Sequence, residues 1–224
     1  MLNERNLGYN EVTAEIYLQN FSDNPSRSLV GAELENFLSL FDGRERVLDI
    51  GCGNAQEAAL TQRFFLRYVG LDISEPMLRR VENHDSMDLV VGDLSSLPFD
   101  DNSFDAIISL WAFQYTGNLN ETIFEASRVL VNKGSFFVAV PHPIYKLIKY
   151  SHNYFVTGPQ TEEGLGIQRV NYYYTLSDYL NAFYDNSLNI GKVVEPRREG
   201  ESKEYSGFSK QNIPHDLILV GYKS

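Results

Sequence analysis

The stretch Val47-Leu48-Asp49-Ile50-Gly51-Cys52-Gly53-Asn54-Ala55 decides how the rest of the chain is read. Val47 to Ile50 is a short run, apolar apart from Asp49, of the kind that fills a strand covered on both faces. Two glycines one residue apart follow at once, and Ala55 to Phe65 reads as a helix. Glycine lets the backbone adopt conformations closed to other residues and lets a ligand approach bare main chain. The helix behind it offers unpaired N–H groups. A tight turn between strand and helix in any α/β protein has the same outline. The nicotinamide-binding fingerprint is a sharper rival, but it needs glycine at its sixth position, where this chain has Gln56, and it has no place for Asp49.

Outward from this unit, short apolar runs alternate with amphipathic stretches. Tyr68 to Leu71 is a second strand ending in Asp72, and Ser74 caps the next helix with Glu75 and Pro76 in its first turn. Asp88 to Val91 is a third strand, followed by Gly92-Asp93, and Phe104 to Leu110 is a fourth. Leu119 to Val131 is a helix with Ile123, Ala126 and Leu130 on one face. Asn132-Lys133-Gly134 turns the chain into a fifth strand, Ser135 to Val140. Strands alternating with helices imply right-handed crossovers and a parallel sheet.

Upstream, residues 1–44 form a helical cap, with Leu29, Leu34, Phe37, Leu38 and Phe41 near a 3.6-residue period and Asp42-Gly43 as the stop. Residues 45–141 are the core. Residues 142–174 are rich in Tyr, Gly and Pro and show no clean period. Residues 175–224 close the domain: Thr175-Leu176-Ser177-Asp178 is a capping box with Asp in place of Glu, and Ile190–Val194 and His215–Tyr222 read as two last strands. No repeat, low-complexity tract or second domain is visible in the sequence.

Asp49, Asp72 and Asp93 stand at or near the ends of three consecutive strands, beside a glycine turn. Asp72 can accept both hydroxyls of a ribose, and Asp93 a hydrogen bond from an adenine amino group. Each has a plain alternative, a helix cap for Asp72 and a turn after Gly92 for Asp93. Together they mark the carboxyl edge of the sheet, where ligands of open α/β sheets bind.

These segments resemble, in order, the motifs of class I S-adenosylmethionine-dependent methyltransferases: Val47–Gly53, Tyr68–Ser74, Gly92-Asp93-Leu94, Leu97–Ser109 and Arg128–Gly134. The resemblance covers about residues 44–142. It implies a Rossmann-like seven-stranded sheet, mostly parallel with an antiparallel last strand and helices on both faces. It implies that Asp49, Gly51, Cys52 and Gly53 surround the methionine part of S-adenosyl-L-methionine. Asp72 would hold the ribose, Ile73 and Met77 would lie near the adenine, Asp93 and Leu94 would hold its edge and face, and Ser109 and Leu110 would border the sulfonium. The chain departs from the pattern at Ala55, where a third glycine is usual, and at Asn132 and Ser135, where Pro and Gly are usual.

Methyl transfer from a sulfonium needs alignment and exclusion of water more than a fixed catalytic triad. Trp111, Phe113, Tyr115 and Tyr172 are candidates for the acceptor wall, although core packing explains the first three as well. His142, between Pro141 and Pro143, is a candidate base or substrate contact, and a structural histidine fits the position equally. The tyrosines and phenylalanine of 142–174 (Tyr145, Tyr150, Tyr154, Phe155, Tyr172, Tyr173, Tyr174) suggest a lid over the acceptor, with Tyr9 and Tyr17 closing the other side.

The net charge of -11 disfavours nucleic acid and anionic membrane as partners. One cysteine excludes an internal disulfide, and His84, His142, His152 and His215 lack metal-ligand spacing. The absence of a signal-like start and of a long apolar run leads to the expectation of a cytoplasmic monomer or homodimer acting on a small molecule. The alternative from a different class is a catalytically inactive partner or regulatory subunit on the same fold.

Overall fold

A computed structural model describes residues 10–21, 25–43, 45–81, 87–150, 153–164, 167–197, 204–205, 208–209 and 213–224. Tyr9, His84, His152 and the side chain of Tyr150 lie outside the described residues.

Among the described residues the helical cap contains α1 (Glu11–Phe21) and α2 (Pro25–Leu38). The core then runs β1 (Arg46–Ile50), α3 (Ala58–Thr61), β2 (Arg67–Asp72), α4 (Glu75–Leu78), β3 (Met87–Val91), β4 (Phe104–Leu110), α5 (Leu119–Val129) and β5 (Leu130–Pro141). After it come α6 (Pro143–Tyr150), β6 (Gly158–Gly164), β7 (Ile167–Tyr173), α7 (Leu176–Asp185), β8 (Leu188–Val194), β9 (Glu204–Tyr205), β10 (Phe208–Ser209) and β11 (Asp216–Lys223).

The main sheet has seven strands in the order β3-β2-β1-β4-β5-β11-β8. The first five are parallel, and β11 lies antiparallel between β5 and β8. This is the sheet implied by the resemblance. Side-chain alternation sends apolar residues to both faces. Leu48, Ile50, Ile107, Phe136 and Val138 pack under α5 and α7, and Val47, Tyr68, Ala106, Ile108 and Phe137 pack under α2 and α3.

Three local features differ from the sequence expectation. The helix after the glycine turn is only α3, because Ala55 takes a left-handed conformation (φ 52°) and the chain is still turning there. The Asn132-Lys133-Gly134 turn survives inside a longer β5: Lys133 has φ 64°, and pairing with β4 jumps from Phe104↔Leu130 to Ala106↔Ser135. The stretch 142–174 is not irregular. It holds α6 and an antiparallel hairpin, β6–β7, that forms a separate two-stranded sheet.

Other expectations hold in atomic detail. Ser74 Oγ accepts the Met77 N–H at 3.3 Å. Thr175 and Asp178 exchange both capping-box bonds. The loop from Leu97 to Phe104 is tied to α5 by Glu125, which accepts the Leu97 N–H at 2.7 Å, and by Arg128, which donates to the Leu97 and Phe99 carbonyls. Among the described residues no helix is long and apolar enough to cross a membrane.

Candidate functional site

The carboxyl ends of β1, β2 and β3 stand side by side, and the glycine turn crosses above them. Gly51 (φ 76°) and Gly53 (φ 57°) both have positive φ. A Cβ on Gly51 would lie 2.2 Å from the Cβ of Ala112, so the turn touches the chain leaving β4 and only glycine fits. A Cβ on Gly53 would come within 3.2 Å of Met77 Cε. The turn is anchored by Asp72, whose two carboxylate oxygens accept the Gly53 and Ser74 N–H groups at 2.8 Å each. Asp72 therefore braces the turn and presents its charge at the same edge.

Asp49 lies on the α2 side of β1 and is buried. The Tyr68 hydroxyl donates to it at 2.6 Å. Burial pushes its carboxyl up to about 8, against the lowering effect of the Tyr68 bond. Glu57 and Asp72, half-buried, are raised for the same first reason. The edge thus gathers acids whose charged forms burial disfavours. Asp93 accepts from the Ser95 N–H at 2.8 Å and from its hydroxyl at 2.7 Å. Cys52 is buried, with its thiol 2.8 Å from where a Gly70 Cβ would sit, so what it offers a ligand is backbone.

The N-terminal helices close over this edge. Arg27 of α2 pairs with Glu57 just past the turn, contacts the Tyr17 hydroxyl at 3.3 Å, and lies over the Trp111 ring. Ser26 donates to Asp216 at 2.5 Å, and Trp111 Nε1 donates to the same carboxylate at 2.8 Å. Trp111 itself has φ 54°, unusual for so bulky a residue, and its N–H is held by the Ala139 carbonyl at 2.8 Å. Sequence reading did not single out Arg27, Glu57 or Tyr68; their partners are 30, 30 and 19 positions away, beyond any local pattern.

Beyond β4 and β5, an open cleft of about 400 Å³ including its mouth is walled by Gln114, Lys146, Tyr154, Tyr172, Tyr173 and Tyr174. The Lys146 ammonium donates to Glu162 at 2.5 Å, and the Tyr173 hydroxyl donates to the same oxygen at 2.9 Å. Burial of that hydroxyl beside Glu162 drives its proton affinity up.

The structure distributes the sequence candidates as follows. Ile73 and Leu94 are half-buried at the edge, and Met77 packs beneath the turn. Ser109 is fully buried and donates to the Ile50 carbonyl at 2.8 Å, so it clamps β4 to β1, while Leu110 is half-buried. Of the acceptor candidates, Tyr172 lines the cleft; Phe113 is wholly inside the core, and Tyr115 is half-buried. His142 has both ring nitrogens engaged: Nδ1 accepts the Ile144 N–H at 3.1 Å, which leaves the proton on Nε2 for Glu195 at 2.7 Å. Burial lowers its pKa, opposed by Glu195. That geometry suits a bracket between α6 and the segment after β8 better than a base.

A family model described as a methyltransferase domain matches residues 48–138. Over 91 residues the chain is 42% identical to malonyl-[acyl-carrier protein] O-methyltransferase of Methylococcus capsulatus, covering 38% of this chain and 33% of that one. Over 108 residues it is 32% identical to fatty-acid O-methyltransferase of Mycolicibacterium smegmatis, covering 46% of this chain and 39% of that one. The matched stretch spans well under half of either relative. In three dimensions the chain is similar to the crystal structure of an S-adenosylmethionine dependent methyltransferase from Mesorhizobium loti, with TM-score 0.73 at 22% identity over 87% of this chain and 98% of that one.

Proposed function

We propose that this chain, which carries a class I methyltransferase domain over residues 48–138, transfers a methyl group from S-adenosylmethionine to a small-molecule acceptor by in-line displacement. One observation carries the reading. The glycine turn, with no room for a side chain at Gly51, sits among Asp49, Asp72 and Asp93 at three neighbouring strand ends.

The residues fit the cofactor. Its sulfonium and ammonium are cationic, and the edge supplies acids, with Asp49 buried and Asp72 and Asp93 half-buried. The bare backbone of Gly51–Gly53 would suit the methionine portion, and Asp49 would hold its ammonium. Asp72 keeps lone pairs for ribose hydroxyls beyond the two N–H groups it already accepts. Ile73 and Met77, with Asp93 and Leu94, make the adenine side. When bound, S-adenosylmethionine supplies a methyl group already activated for displacement. The protein's task is to hold donor and acceptor in line and keep water out.

Water exclusion falls to the N-terminal helices on one side and to α6 with the β6–β7 hairpin on the other. We read residues 142–174 as the lid over the acceptor, with Tyr172 facing it. His142 acts by holding the base of that lid. Calorimetric titration with S-adenosylmethionine and with S-adenosylhomocysteine tests the central reading. Binding of both supports it, and a flat response to both removes it.

A further inference from the structure

The cleft beyond β4 and β5 has an unusual polar inventory. The Tyr174 hydroxyl donates to the Thr116 carbonyl at 2.8 Å, the Tyr173 hydroxyl to Glu162, and the Tyr154 hydroxyl accepts the Leu176 N–H at 2.9 Å. Two of its tyrosines, Tyr173 and Tyr174, therefore spend their hydroxyl protons on the protein and offer rings, while Tyr154 accepts and keeps its proton. Lys146 is held by Glu162 and lies 4.9 Å from the Tyr173 ring, so its charge is balanced inside the wall.

Gln114 differs from these groups. It is 5% exposed, and its Nε2 donates to the Trp111 carbonyl at 2.5 Å. That bond fixes the amide orientation, because a carbonyl can only accept. The other end, Oε1, is buried and has no hydrogen-bond partner. A buried acceptor without a donor is costly, and such groups call for an explanation. Gln114 stands two residues after Ala112, the residue against which Gly51 is packed. Gln114 thus lines the cleft two residues beyond the point where the chain touches the glycine turn.

We propose that this cleft selects a neutral, flat acceptor bearing an O–H or N–H, which donates to Gln114 Oε1 while its apolar body lies against the tyrosine rings. Resting on the methyl-transfer reading, the proposal names the acceptor class for that site. A carboxylate acceptor is disfavoured on two counts. It would set lone pairs against the Gln114 carbonyl, and the one lysine of the cleft is already neutralised by Glu162.

The test uses three matched probes: 2-naphthol, which carries the donor; 2-methoxynaphthalene, which lacks it; and 2-naphthoate, which carries a carboxylate. Each is titrated into the full chain by ligand-observed NMR, with and without saturating S-adenosylhomocysteine. The expected result is binding of 2-naphthol about tenfold tighter than either of the others, the scale of one hydrogen bond to an otherwise unpaired buried group. Gln114→Met, close in volume, should abolish the preference over 2-methoxynaphthalene. Gln114→Asn, which withdraws the carbonyl, should reduce it and serves if the Met variant does not fold. Tighter binding of 2-naphthoate, no binding of any probe, or a preference that survives both substitutions overturns the proposal. A flat titration with S-adenosylhomocysteine alone would instead strike the methyl-transfer reading, so the two failures are told apart.

Discussion

The two halves of the sheet's carboxyl edge are built from different materials. Over β1, β2 and β3 the edge is backbone: a glycine turn, short loops, and three aspartates within a few bonds of the main chain. Over β4 and β5 it is long side chains, Gln114, Lys146 and Tyr172 among them, delivered by a turn, a helix and a hairpin. Backbone sites are rigid and tolerate little change, because every atom is also part of the fold. Side-chain sites can be re-cut residue by residue while the scaffold stays.

The comparison can be broken at several points. The largest effect is expected at Gly51→Ala. The new Cβ would overlap Ala112 in a left-handed backbone, and the protein should lose roughly 3 kcal/mol or more of stability together with cofactor binding. Urea denaturation beside calorimetry would check this. Full retention of both would show that the turn is softer than a backbone site should be.

Asp72→Ala comes next. Removing its charge-assisted bonds should weaken S-adenosylmethionine binding about tenfold or more. Since Asp72 also accepts the Gly53 and Ser74 N–H groups, a stability loss of about 1–2 kcal/mol should accompany it. A binding loss with no stability loss would mean that the turn does not depend on this carboxylate.

Asp49 gives a pH signature. Its folded pKa is raised from 3.8 to about 8, so between those values the folded chain binds more protons than the unfolded chain. Its contribution to stability is fully present below the unfolded value and falls as pH rises towards 8. Asp49→Asn keeps an acceptor for Tyr68 and should flatten that fall, raising the stability of the ligand-free protein by about 1–2 kcal/mol between pH 5 and 8. It should also weaken cofactor binding. A cationic ligand should draw the proton off Asp49, visible as a buffer-dependent enthalpy in calorimetry. Equal slopes for the two proteins would dismiss the burial argument.

The smallest effect is a gain. Ala55 sits at φ 52°, where glycine is at ease, and Ala55→Gly should stabilise by about 0.5–1 kcal/mol, read as a higher urea midpoint. A loss instead would mean that the Ala55 methyl, buried among α2, α3 and β2 residues, contributes more by packing than its backbone costs.

Much of the backbone half was legible in the sequence, since β1, β2 and β4 are apolar runs bounded by Asp and Gly, and a parallel strand covered on both faces can look like little else. The side-chain half was less so. The hairpin escaped because β6, Gly-Pro-Gln-Thr-Glu-Glu-Gly, packs no apolar face and pairs only with β7. α6 did carry a signal, Pro143 at its first position followed by Ile144, Leu147 and Ile148 at helical spacing. Nothing local distinguishes Gln114 or Lys146. Their roles come from Trp111 and Glu162, which the fold brings to them. Phe113 and Ser109 were near the right place in sequence but face inward, a difference of direction that position alone does not reveal.

The placement of β11 has a consequence for how the chain is made. This strand, residues 216–223, lies between β5 and β8, so the sheet cannot close while those residues are still being synthesised. The five parallel strands can assemble earlier, and they would then wait with the hydrogen-bonding edge of β5 bare. An open edge of that kind invites pairing with other chains until its proper neighbour arrives. The arrival of residues 216–223 therefore ends the period of greatest exposure to aggregation.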